Sequence, residues 1–171
     1  MKRKYFTFLI MGVAGSGKTT VAEKLSKKLD AYFIEADNFH SKENIAKMST
    51  GKPLNDADRH DWLKKIKEEI SKRKNLQNLV VACSALKEKY RLMLGVKNYH
   101  LIYLKIDKDT AKFRINNRKD HFMPDSLIDS QFSILEEPEN CIIFKKNLNP
   151  DQIVNQIIKK QEFFYLIKYD K

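Results

Sequence analysis

Cysteine is scarce in this chain of 171 residues: Cys83 and Cys141 stand far apart, with no Cys-x-x-Cys pair and no histidine at a zinc-binding spacing. A disulfide framework and a zinc finger are excluded, and a reducing compartment, the cytoplasm, is expected. No apolar stretch approaches the ~20 residues that cross a bilayer; the longest are Tyr5 to Met11 and Leu79 to Cys83. Internal repeats, low-complexity tracts and Pro/Gly/Ser-rich linkers are missing, so one domain is expected over residues 1–171. Met1-Lys2-Arg3-Lys4 imitates the start of a secretory signal, but the apolar run after it ends at a glycine-rich loop without a small-residue cleavage site. It reads as a basic lead-in to a first strand. Acids are outnumbered 22 to 33 by Lys and Arg, a net charge of +11. That balance suits a nucleotide, a sugar acid, a nucleic acid or an acidic lipid surface, or reflects only a solvated lysine-rich surface, since lysines are scattered along the whole chain.

What is present is a fold. Hydrophobic residues make up 42% of the chain, enough for a core. Short apolar runs alternate with helix-spaced patterns. Tyr5–Met11, Ala31–Ala36, Leu79–Cys83, Tyr99–Leu104 and Cys141–Phe144 read as strands. Helices are predicted from Val21, Ala22, Leu25 and Leu29, from Trp62, Leu63, Ile66 and Ile70, from Leu127, Ile128, Phe132 and Leu135, and from Ile153, Val154, Ile157 and Ile158. Strands separated by helices argue for an α/β fold, a parallel sheet flanked by helices on both faces.

Gly12-Val13-Ala14-Gly15-Ser16-Gly17-Lys18-Thr19 matches G-x-x-x-x-G-K-[ST] in full, after a strand and before a helix. The glycines let backbone N–H groups turn inward on phosphate oxygens, and the helix start adds unpaired donors and a positive dipole end. Lys18 is placed to reach the β- and γ-phosphates, and the Thr19 hydroxyl to complete a Mg²⁺ shell. Asp-x-x-Gly and Asn-Lys-x-Asp are absent, so a GTPase is disfavoured. A small-molecule kinase fits this short chain with one phosphate loop, by analogy of fold.

On the acceptor side, Asp37 follows the second strand, which is expected to bring it to the phosphate loop from a neighbouring strand. It would hold a substrate hydroxyl in line and accept its proton, or bind a Mg²⁺-linked water; otherwise it is a solvated turn aspartate or a helix cap. Arg59 is expected in a structured turn before the helix carrying Trp62, where its fork suits a carboxylate or pairs with Asp56 or Asp58. Arg114 and Arg118, four apart, lie on one helix face and suggest a lid closing over ATP, or a static basic face. Trp62 reads as core, and Cys83 as an inert strand residue.

Together these residues resemble the gluconate kinase (gluconokinase) family, of the shikimate-kinase-like P-loop group. The resemblance rests on the loop from Met11 to Thr19, Asp37 with His40, Asn44 with Lys47-Met48, and Gly51 through Arg59 with Trp62-Leu63. It continues through Cys83-Ser84-Ala85-Leu86-Lys87 with Tyr90-Arg91, His121-Phe122-Met123-Pro124, Ser130-Gln131-Phe132 and Leu135-Glu136-Glu137-Pro138, so that it spans residues 6–145. It implies a nucleoside-monophosphate-kinase-like three-layer fold and phosphorylation of D-gluconate at its 6-hydroxyl by ATP with Mg²⁺, in a homodimer with no nucleic-acid or membrane partner. By the same resemblance, residues 38–72 bind substrate and residues 112–126 form the lid. Lys18, Asp37 and Arg118 would be catalytic. Gly12, Val13, Ala14, Gly15, Ser16, Gly17, Lys18, Thr19, Thr20, Arg114 and Arg118 would hold the nucleotide, with Thr19 at the metal. Asp37, His40, Arg59, Lys87, Tyr90, Arg91 and Gln131 would face the acceptor. The chain departs from the family pattern at Ala36, Ser41 and Asp61, where Gly, Pro and Pro are usual; these touch turn rigidity rather than charge. The tail beyond Pro150 is not distinctive of the family and either packs on the sheet or offers its apolar face to a second subunit. Kinases of other small hydroxy acids such as shikimate, a polynucleotide 5′-hydroxyl kinase and a non-catalytic ATP sensor are the rivals. The glycine-rich acceptor segment of shikimate kinases is absent at Ser84-Ala85-Leu86, and no basic run interleaved with aromatics offers a strand-binding groove.

Overall fold

The computed structural model describes residues 5–95, 99–117, 123–145 and 148–169, with side chains as far as residue 160. At its centre runs β1 (Thr7–Met11), buried along its whole length. It pairs in parallel with β3 (Leu79–Ala82) on one side and β4 (His100–Lys105) on the other, Leu9 facing Val81 and Leu101 across the two ladders. Outside β3 lies β2 (Tyr32–Glu35), and outside β4 lies β5 (Ile142–Lys145), giving the order β2-β3-β1-β4-β5, all parallel. The expected strands are all present, each shifted or trimmed by one or two residues. One expectation changes: β2 is not the neighbour of β1, because β3 is inserted between them.

Alternation along β1 sorts the core into two layers. Phe8 and Ile10 face α1 (Lys18–Leu29) and α7 (Pro150–Tyr169), packing with Val21, Leu25, Val154 and Ile157. Leu9 and Met11 face the opposite layer, where α3 (Asp56–Arg73) and α4 (Glu88–Leu94) contribute Trp62, Leu63, Ile66, Ile70, Tyr90 and Leu94. Strands covered on both faces read as the continuous apolar runs seen in the sequence. The first part of α7 thus packs on the sheet.

A third, smaller cluster lies beneath the phosphate loop, where Val13 and Leu86 meet Ala111 and Ile115 of α5 (Lys108–Asn116) and Ile128 of α6 (Asp125–Ser133). The expected helix on Leu127, Ile128, Phe132 and Leu135 ends at Ser133, so Leu135 lies past it. Three helices escape the periodicity reading, α2 (Lys42–Ser49), α4 and α5, of eight, seven and nine residues. All are too short to repeat an apolar spacing clearly.

Candidate active site

The parallel strands end at one edge, and the loops leaving β1 and β2 define the two walls of a cleft of about 410 Å³. The phosphate loop leaves β1. Gly12, Gly15 and Gly17 all have positive φ (157°, 78° and 88°), which L side chains rarely adopt. At Gly15 space decides as well: a Cβ would stand 3.0 Å from the Ala111 carbonyl oxygen of α5. Arg114 on the same helix donates from Nη1 to the Gly15 carbonyl at 3.2 Å, so this expected nucleotide residue grips the loop itself. α1 starts directly after Gly17 with no side-chain cap, and its first amides stay available to an anion.

On the other wall β2 ends in Glu35, and the chain turns through a 3-10 turn at Ala36–Phe39 that carries Asp37. The Asp37 amide donates to Glu35 Oε1 at 3.4 Å, and Trp62 Nε1 donates to the Ala36 carbonyl at 2.7 Å. The turn is therefore held from α3. The Asp37 side chain is 61% exposed at the cleft, and His40 Nε2 lies 3.9 Å from its Oδ1. The His40 ring stacks on Trp62 at 4.5 Å and is only 9% exposed. Burial pushes its pKa down, Asp37 opposing this and Arg59 adding to it.

Arg59 does not sit in a turn before α3; it lies inside that helix, which starts at Asp56. Asn55 and Asp58 form a reciprocal capping box, with Asn55 Oδ1 accepting from the Asp58 amide at 2.9 Å and Asp58 Oδ2 from the Asn55 amide at 2.8 Å. Asp58 also takes Lys47 Nζ at 2.6 Å, which binds α2 to α3. Arg59 forms an ion pair with neither acid: its Nη1 donates to the Leu54 carbonyl, its guanidinium also hydrogen-bonds Tyr90 and lies 5.7 Å from the centre of that ring, and the residue lines the cleft.

Lys18, Thr19, Asp37, His40, Arg59 and Gln131 line this one cleft, with Ala14, Gly15 and Gly17. Lys87, Tyr90 and Arg91, expected on the acceptor side, sit differently. Lys87 and Tyr90 are not in its lining; Lys87 Nζ lies 2.9 Å from Asp56 Oδ1, and the Tyr90 hydroxyl donates to the same oxygen. Lys89 holds Asp56 Oδ2 at 2.6 Å. These hydrogen bonds, that of Lys89 first, keep the Asp56 carboxyl well below the usual carboxylate range. Arg91 is 6% exposed and donates to the Ala85 and Leu86 carbonyls at 3.0 and 3.1 Å, beneath the acceptor wall rather than on it. The Ala14 amide donates to Gln131 Oε1 at 2.7 Å and is thereby withdrawn from the phosphate cradle. Thr20 faces outward on α1, and Arg118 and His121 lie outside the described residues.

Two residues escape sequence reasoning. Glu35 is half-buried beside Thr19, whose hydroxyl donates to it, and its Oε2 is buried with no partner among the described residues. Burial raises its pKa above the ordinary carboxylate value, against that hydrogen bond. Two acids one residue apart at a strand end were the signal available for it. Ser84 lines the cleft before Ala85, which has φ 44°; this strained turn is held by the two Arg91 bonds and left no trace in the periodicity.

The donors present fit a nucleotide with Mg²⁺. Ser16 Oγ is buried in the loop with no partner among the described residues, as a phosphate-binding hydroxyl would be. Thr19 and the orphaned Glu35 oxygen supply hard oxygen ligands for an ion that keeps most of its waters. Among the described residues no group of three or more His, Cys, Asp or Glu forms an all-protein metal cage, and no helix is long and apolar enough to cross a membrane.

Comparison with known proteins agrees with this geometry. The family profile described as Shikimate kinase matches residues 14–162. A probable gluconokinase of Xenopus tropicalis is 44% identical over 76% of this chain and 78% of its own length, and a gluconokinase of Gluconobacter oxydans is 39% identical over 88% of each. The chain belongs to the gluconokinase family. The crystal structure of a gluconokinase from Sinorhizobium meliloti 1021 superposes with a TM-score of 0.84 at 33% identity, over 98% of this chain and 99% of that one. A kinase of this family uses ATP, and the parallel sheet between two helical layers is the expected fold.

Two titrations follow from the cleft of this gluconokinase-family chain. The folded-state pKa of Glu35 is raised, so its stabilising contribution holds only at low pH and is lost as pH rises through the raised value. Glu35→Gln is expected to raise the urea midpoint at pH 7.5, the gain fading near pH 4; an unchanged or lower midpoint at pH 7.5 would show that its hydrogen bonds outweigh burial. His40 has the opposite shift, and the unfolded chain takes its proton first as pH falls below about 6.5. The melting temperature should therefore fall more steeply from pH 7.5 to 5.5 in the wild type than in His40→Gln, and equal slopes would acquit the imidazole.

Proposed function

We propose that the chain transfers the γ-phosphoryl group of ATP to the 6-hydroxyl of D-gluconate, giving 6-phospho-D-gluconate and ADP. One observation carries this reading: a single cleft has Lys18 and Thr19 on one wall and Asp37, His40 and Arg59 on the other. Its volume, about 410 Å³, suits a triphosphate tail facing a small acceptor.

The phosphate loop amides from Gly15 to Thr19 hold the phosphates, and Lys18 follows the charge that moves with the transferring group. Asp37, exposed at the cleft, orients the attacking hydroxyl and accepts its proton. His40, kept neutral by burial, fixes the side of Asp37 next to Trp62. Arg59, held by the Leu54 carbonyl and Tyr90, presents its guanidinium to the acid's carboxylate. Thr19 and Glu35 would hold Mg²⁺, which supplies charge neutralisation at the phosphates. Residues 38–72 serve as the acceptor-binding segment and residues 112–126 as the lid, with Arg118 as its second guanidinium. Gln131 stands at the junction of the two substrates. Tyr90 acts on the acceptor side through Arg59, with Lys87 and Asp56 holding Tyr90, and Arg91 acts through the Ser84 turn. The reading includes a cytoplasmic location, supported by the two unpaired cysteines, and a homodimer, implied by the family.

The test is ADP release with ATP, Mg²⁺ and a panel of aldonic acids, polyols and shikimate; gluconate should stand out, and equal turnover with shikimate would displace it. Lys18→Ala and Asp37→Asn should each lower kcat by about 10²-fold or more while leaving the thermal unfolding cooperative. Wild-type turnover by Asp37→Asn would remove that carboxylate from the chemistry. Arg59→Ala should raise KM for the acid by about tenfold or more with a smaller change in kcat, and an unchanged KM would contradict the clamp.

A further inference from the structure

α6 touches both halves of the cleft. At its first turn Ser126 Oγ donates to the Gly51 carbonyl at 3.0 Å, on the turn between α2 and α3. In its middle Asp129 pairs with Lys108 and Lys112 of α5 at 3.3 and 3.1 Å, which fixes the helix against the element that backs Gly15. Five residues after Ser126, a rise of about 7.5 Å, Gln131 reaches the phosphate loop at Ala14.

The chemistry of that bond orients the carboxamide. A backbone N–H can be met only by the side-chain oxygen, so Oε1 is committed to Ala14 and Nε2 is the remaining donor. Among the described residues Nε2 has no hydrogen-bond partner, and Gln131 lines the cleft with Lys18, Thr19, Asp37 and Arg59. A neutral donor tied to the loop that binds phosphate thus shares the cleft with the cations of Lys18 and Arg59. A simple tether would need only the oxygen.

We propose that Gln131 is a γ-phosphoryl contact rather than an acceptor contact, its Oε1 holding the Ala14 amide while its Nε2 donates to the terminal phosphoryl group of the bound triphosphate. The carboxamide then distinguishes ATP from ADP and links that distinction, through Ser126 and Gly51, to the acceptor side. The inference rests on the kinase reading given above and deepens it.

The deciding experiment uses the full chain and two variants, Gln131→Glu and Gln131→Met, titrated by calorimetry in the presence of Mg²⁺ with ADP and with the β,γ-imido analogue of ATP. Gln131→Glu keeps an acceptor for the Ala14 amide but puts an oxygen where the donor was. It should bind ADP within about twofold of wild type and the triphosphate analogue about tenfold or more weaker, the size of one hydrogen bond to a charged group. Gln131→Met removes both bonds and should weaken the two ligands together, with the larger loss on the triphosphate. In steady-state assays with gluconate both variants should lose kcat, with KM for the acid within about threefold. Unchanged discrimination between the two nucleotides in Gln131→Glu overturns the proposal. So does a rise in KM for the acid without loss of kcat, which would make the residue an acceptor contact. Absence of gluconate turnover by the wild type would sink the substrate assignment alone, because the nucleotide titrations need no acceptor.

Discussion

The phosphate loop cannot hold its shape by itself. A backbone bent through positive φ at Gly12, Gly15 and Gly17 turns amides toward an anion at the expense of ordinary hydrogen bonding. What stabilises it comes from elsewhere in the chain: the Ala111 backbone presses on Gly15, Arg114 takes the Gly15 carbonyl, and Gln131 takes the Ala14 amide. α5 and α6 thus act as the loop's scaffold, and the small cluster of Val13, Ile115 and Ile128 binds the three together. An arginine expected to reach for the nucleotide also grips the polypeptide that does so.

Across the cleft the arrangement is one of charges kept in register by their neighbours. Asp58 joins α2 to α3 through Lys47 and the capping box, and Asp56 collects Lys87, Lys89 and Tyr90. Arg59 directly follows Asp58 in sequence yet forms an ion pair with neither acid, so its charge is not neutralised by them. Beneath, Arg91 is buried to hold the strained Ala85 turn that presents Ser84.

The sheet was legible because strands buried on both faces write long apolar runs, and the phosphate loop because its geometry demands a fixed spacing of glycines. Asp37 and Arg59 were legible as chemistry: each is a charged residue in a turn-rich neighbourhood. Strand order was not, since a parallel pair leaves no mark on local sequence, and the insertion of β3 between β1 and β2 is decided by tertiary packing. Nor was the division of labour among the basic residues. Lys87, Arg91 and Arg114 look alike in a sequence, and only their partners Asp56, Ala85 and Gly15 tell anchor from ligand. Glu35 was hidden for a different reason: its role comes from burial, which composition does not record.

Asn44, Lys47, Asn55 and Asp58 sew α2 to α3, while the inner face of α3 is buried in the main core and holds the catalytic turn through the Trp62 bond to Ala36. The outer piece, α2, carries only Asn44 buried and can be reshaped for a different alcohol with less disturbance than α3, whose side chains pack on β1. Evolution of new acceptors on this scaffold is thereby channelled into α2, and so is any laboratory effort to redirect it.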